Sequence, residues 1–174
     1  MFIIKKIIYI LLLMMSIGTM YYFSSQDLST SISQSNTVVE IIDEIRNKVT
    51  LQDKRLIKIK DTIMNKLKKY EKHFIVRKAA HFFMYAVIGG LMMLVVYSFL
   101  KRVFLSASLS FTFTFLFAVF DEKSQLAVDG RTASLRDILI DSSGALLSII
   151  ILSILFLIKN RMEYLFKRKS ENIT

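Results

Sequence analysis

Lys78 and His81 stand three residues apart at the head of one oily run, and Asp121, Glu122, Asp137 and Asp141 lie between or inside the next two. A His beside carboxylates can act as a general base while an acid fixes its tautomer, and Lys or Arg can hold a phosphate or a carboxylate. The candidates for proton transfer are therefore His81, Asp121, Glu122 and Asp137. Those for binding are Lys78, His81, Tyr85, Asp121, Glu122, Gln125, Arg131, Asp137 and Asp141. Ser134, Ser142 and Ser143 are close by, but no GxSxG nucleophile elbow is present. His81 with Asp or Glu can take a hard divalent ion, yet no ligand spacing specific to zinc or calcium occurs, so the sequence assigns no metal and no cofactor.

Spacing says which of these groups share a face. On a helix, residues three or four apart are neighbours. That puts Lys78, His81 and Tyr85 on one stripe, Asp121 and Gln125 on a second with Glu122 about a quarter turn away, and Asp137, Asp141 and Gly144 on a third. Asp141 falls inside an apolar segment, where a lipid-facing carboxylate costs roughly 2.5 to 3.5 kcal/mol at the helix centre, so it should face the bundle or a wet cavity. A plainer reading stays open. Lys78, Arg131 and Arg136 can neutralise the four carboxylates, and charges at helix ends often only anchor a span at the interface.

The elements that must position these stripes are visible in the composition. Of 174 residues, 53% are hydrophobic, with a mean hydropathy of +0.48. The excess sits in four blocks, Ile7 to Phe23, Ala79 to Leu100, Val103 to Phe120 and Ile138 to Ile158. Each approaches the roughly 20 residues needed to cross ~30 Å of hydrocarbon. The third block contains FTFTF, whose alternation suggests a strand, but an isolated strand would leave its backbone groups unpaired in lipid, so it reads as helix. The first block is expected to be a retained span, because no Ala-x-Ala-like cleavage site follows it. The expectation is an all-α polytopic membrane domain over residues 1–174, with four transmembrane helices. The chain has no Cys, which excludes disulfides and thiolate metal sites.

Orientation follows from the basic residues. Lys5 and Lys6 precede the first span, Lys101 and Arg102 form the turn between the second and third, and Lys159, Arg161, Lys167, Arg168 and Lys169 follow the fourth. The positive-inside rule makes that side cytoplasmic, with both termini. The loop 24–78 then faces outward although it holds twelve Lys or Arg against seven Asp or Glu. Within it, Val38, Ile41, Ile42, Ile45 and Val49, and again Leu56, Ile59, Ile63, Leu67, Tyr70 and Phe74, recur at helical spacing. Thr37 with Glu40 and Thr50 with Asp53 have capping-box spacing, which predicts an amphipathic helical hairpin. Its basic faces suit anionic headgroups or plain solvation. No motif points to nucleic acid despite the formal net charge of +10. Gly144 with Ser148, and Gly89 with Gly90, have the small side chains that let membrane helices approach closely.

Three segments carry a family resemblance: FSSQ at Phe23 to Gln26, RKAAHFFMYAVIGGL at Arg77 to Leu91, and DEKSQLAVDGRTASLRDILIDSSGALL at Asp121 to Leu147. In these the chain resembles the VanZ-like family of small bacterial membrane proteins. The matching positions are Lys78 and His81; Asp121, Glu122 and Gln125; Arg131; and Asp137, Asp141 and Gly144. Position 141 is Asp where the resistance-associated pattern more often has Asn, and the long basic loop is a second departure. The resemblance implies a four-span protein of the bacterial cell membrane. It also implies a contribution to glycopeptide (teicoplanin) resistance through an anionic lipid or cell-wall precursor bound at the polar cluster. The rival expectation is a membrane-embedded enzyme modifying a lipid-linked or peptidoglycan-derived substrate. The sequence gives no oligomeric state.

Overall fold

The computed structural model describes residues 2–48, 72–128 and 133–171. It is all-α: α1 (Phe2–Ser24), α2 (Leu28–Lys48), α3 (Lys72–Leu100), α4 (Val103–Gln125) and α5 (Leu135–Glu171). Among the described residues, four helices are long and apolar enough to cross a membrane, Ile3–Ser24, Phe74–Leu100, Val103–Gln125 and Leu135–Lys169. The FTFTF segment is helical, as the unpaired-backbone argument requires. At 1.5 Å per residue α5 extends to about 55 Å, well beyond the ~30 Å of hydrocarbon, so its basic last turns project past it.

The helices alternate in direction. Lys6 lies over the Phe99 ring at one end, and Ser24 meets Asp121 at the other, so α1 runs antiparallel to α3 and parallel to α4. The most extensive pairing is between α3 and α5, which run parallel and in register. Lys78 faces Asp137, His81 faces Asp141, and Tyr97 stacks on Phe156 and donates a hydrogen bond to Asn160 Oδ1 at 3.0 Å. Membrane helices gain little from hydrophobic exclusion and depend on close packing through small residues. That is what Gly144 and Gly89 supply: a Cβ on Gly144 would overlap the Phe82 carbonyl oxygen, and one on Gly89 would stand 2.8 Å from Ala145 Cα. Gly90 is less constrained, with Leu152 and Ser148 side-chain atoms at 3.6 Å.

Outside the α3–α5 seam, large apolar side chains cover the surface, among them Phe104, Phe113, Leu116 and Phe120 of α4. The inward face of α4 carries Ser106, Ser110, Thr114 and Ala118 instead. Polarity is thus reversed relative to a water-soluble bundle. Ser110 accepts the Thr114 hydroxyl at its carbonyl at 2.7 Å, so the Thr114 polar atom is satisfied within the helix. Two apolar clusters fill the rest, one built on Leu13, Met20, Tyr85 and Ile88, the other on Met93, Val103 and Ile149.

Two connections bear on the site. The α3–α4 turn is only Lys101 and Arg102, and Lys101 takes φ 56°, a left-handed conformation uncommon for a residue with a Cβ. Its N–H bonds back to the Tyr97 carbonyl at 3.0 Å, closing α3. The segment after α1 departs from expectation: α2 begins at Leu28, not at Thr37, and Thr37 sits mid-helix with its hydroxyl on the Ser33 carbonyl. The cap is Asp27. Its carboxylate accepts from Ser29 and Thr30, and these bonds hold it below the usual carboxylate range. The predicted second arm of the hairpin, with Thr50 and most of Leu56 to Phe74, lies outside the described residues.

Candidate functional site

Three helices bring their polar stripes to one end of the bundle. The α3–α4 hairpin explains part of this by counting alone: Lys101 stands midway between His81 and Asp121, twenty residues from each. Equal helical rises of about 30 Å on either side of the turn return the two residues to one level. The register of α5 against α3 then sets Asp141 opposite His81. Suitable ligand atoms of His81, Asp121 and Asp141 all lie within 4.8 Å of one another.

The rim comes first. Lys78 Nζ pairs with Asp137 Oδ2, both side chains 15% exposed. Ser134 caps α5, its hydroxyl accepting the Arg136 N–H at 3.2 Å. Ser134 N–H donates to Glu122 Oε1 at 2.6 Å, so Glu122 ties the start of α5 to the end of α4. Around these groups opens a cleft of about 740 Å³ lined by Arg77, Lys78 and Arg136 against Asp137, with Leu28, Phe74 and Leu135 supplying apolar wall.

One turn deeper the environment closes. Asp121 is fully buried and Asp141 is 1% exposed. The Ser24 hydroxyl donates to Asp121 Oδ2 at 2.9 Å and accepts the Gln125 amide at 2.9 Å, while that amide also reaches Asp121 Oδ2 at 3.3 Å. This knot fastens the end of α1 to α4. His81 Nδ1 stands 3.6 Å from Asp141 Oδ1, near enough for charge attraction but too far for a hydrogen bond. Among the described residues, Asp121 Oδ1, both Asp141 oxygens, Glu122 Oε2 and the buried Tyr85 hydroxyl have no hydrogen-bond partner.

Of the sequence candidates, the structure gathers Lys78 with Asp137 at the rim, His81, Asp121 and Asp141 beneath, and Tyr85, Glu122 and Gln125 around them. Arg131 lies outside the described residues. Ser24 is the residue that sequence reasoning missed. Its signal was the polar FSSQ segment, Phe23 to Gln26, directly after the first apolar run. Among the described residues, His81, Asp121 and Asp141 form the set able to hold a cation, since it offers one imidazole and two carboxylates.

A helical bundle with exposed apolar sides, four helices of span length and a buried polar cluster at one end defines a polytopic membrane protein. Residues 6–157 match the VanZ/LLP1 family, and the chain belongs to it. Comparison with curated proteins and with solved structures gives no significant match.

Proposed function

We propose that the protein binds an anionic cell-envelope molecule, lipid-linked or peptidoglycan-derived, in the rim cleft. The observation that carries this is the cleft's lining, where Arg77, Lys78 and Arg136 face Asp137, the one carboxylate among the described lining residues, beside an apolar groove of Phe74, Ile75, Phe82 and Ile140. Guanidinium groups suit phosphate and carboxylate, and Phe74, Leu28 and Leu135 suit the start of an acyl or polyprenyl chain. In this reading the chain sits in a bacterial cell membrane with both termini cytoplasmic. The cleft then opens outward, and occupancy there alters susceptibility to glycopeptides such as teicoplanin.

The test uses purified protein in neutral-lipid nanodiscs with two probes, a polyprenyl pyrophosphate and phosphatidylglycerol. The Arg77→Gln, Arg136→Gln double variant is expected to weaken binding of the preferred probe at least tenfold, and to shift teicoplanin susceptibility in cells at unchanged abundance. Unaltered binding and susceptibility would sink the reading.

A second reading makes the protein an enzyme acting on the same molecule. It is favoured by His81 lying 3.6 Å from Asp141, a gap that a small side-chain movement closes to the hydrogen bond that orients a general base. Turnover of the bound probe, abolished in His81→Gln with binding retained, separates it from binding alone.

A further inference from the structure

We propose that His81, Asp121 and Asp141 form a site for one divalent transition-metal cation, of the Mn2+ or Zn2+ kind, about 4.5 to 6 Å below the rim at 1.5 Å of helix per residue. This goes beyond the rim reading and does not rest on it.

Geometry comes first. An ion holding ligands at about 2.0 to 2.2 Å separates any two of them by roughly 3 Å when adjacent and up to about 4.4 Å when opposite. The three candidate ligand atoms already lie within 4.8 Å of one another on three different helices, so rotamer adjustments of about 1 to 2 Å complete the set. The donors also discriminate. One imidazole nitrogen with two carboxylates suits Mn2+ or Zn2+, whereas Ca2+ and Mg2+ favour oxygen alone, and the chain has no thiolate to select softer ions.

The second observation is independent of the clustering. Asp141 is 1% exposed with neither carboxylate oxygen hydrogen-bonded among the described residues, and Asp121 is fully buried with the Tyr85 hydroxyl beside it. Two buried carboxylates beside one imidazole that is too distant to donate is a costly arrangement, because a buried charge needs both a counter-charge and its hydrogen bonds. Ser24 and Gln125 satisfy Asp121 Oδ2. A dication takes one oxygen of each carboxylate and neutralises both acids. Three protein ligands leave coordination positions for water or for an oxygen of an anionic ligand descending from the cleft. A ring nitrogen of His81 that holds an ion does not accept a proton, so this site replaces a general-base role at that atom.

The test titrates Mn2+ into metal-stripped wild-type protein in neutral-lipid nanodiscs, followed by electron paramagnetic resonance. Expected are one saturable Mn2+ per chain, displacement by Zn2+ but not by equal Mg2+, and a 14N hyperfine coupling that identifies imidazole. Asp141→Asn, Asp121→Asn and His81→Gln should each weaken binding at least tenfold, and His81→Gln should remove the nitrogen coupling. Glu163→Gln, an exposed acid far along α5, should bind as wild type. No saturable binding up to millimolar Mn2+ or Zn2+ overturns the proposal. So does bound Mn2+ without nitrogen coupling in the wild type, an outcome that needs no variant to fold.

Discussion

The Ser24 hydroxyl serves two partners, Asp121 and Gln125, which are otherwise left with one long contact at 3.3 Å. Removing it strands buried polar groups, so Ser24→Ala is expected to cost about 1 to 3 kcal/mol, read as a lower unfolding midpoint in detergent. Ser25→Ala, at an exposed position whose hydroxyl bonds only to the Tyr22 carbonyl, should change little. Equal effects of the two would mean that the knot holds nothing. At this scale the sequence was informative about stripes and silent about partners. Asp137 and Asp141 share a face by spacing, yet one sits at a part-exposed rim paired with Lys78 and the other in a closed interior. Depth relative to the neighbouring helices made that difference, and no local pattern records it. Ser24 escaped for the same reason, since its partner Asp121 is 97 residues away.

Helices were legible where lipid simplifies the physics. An apolar block of span length admits one backbone solution, so FTFTF in α4 was readable despite its alternation. The start of α2 was not. Its first turns, Leu28 to Ser35, are mostly small polar residues without apolar periodicity, and Ser31 and Ser35 are buried against α3 where small size permits close approach. Capping by Asp27 therefore carried more information than the hydrophobic repeat that begins at Val38. The seam of α3 and α5 yields a graded expectation. Gly144→Ala should drive the helices apart beside the site and cost about 1 to 3 kcal/mol or more, while Gly90→Ala, with neighbours at 3.6 Å, should be tolerated. Thermal unfolding of both variants in one detergent checks the ranking, and equal midpoints would show that the seam is looser than its geometry.

For the molecule as a whole, four spans and the family were readable because both rest on long segments kept in order along the chain. Which side of the membrane each end occupies is a matter of charge distribution, and single cysteines can test it in a chain that has none. With a membrane-impermeant thiol reagent, Asn36→Cys and Lys123→Cys should label in intact cells, and Lys101→Cys and Lys167→Cys only after permeabilisation. The opposite pattern would turn the cleft toward the cytoplasm. The midway position of Lys101 also limits how this chain can vary in length. One residue gained or lost between 81 and 101, or between 101 and 121, swings the side chain beyond it by about 100° and slides it by about 1.5 Å. Relatives that keep the cluster are therefore expected to conserve the count across positions 81–121, with insertions and deletions confined to the segment ahead of α3 and to the chain beyond the α5 span.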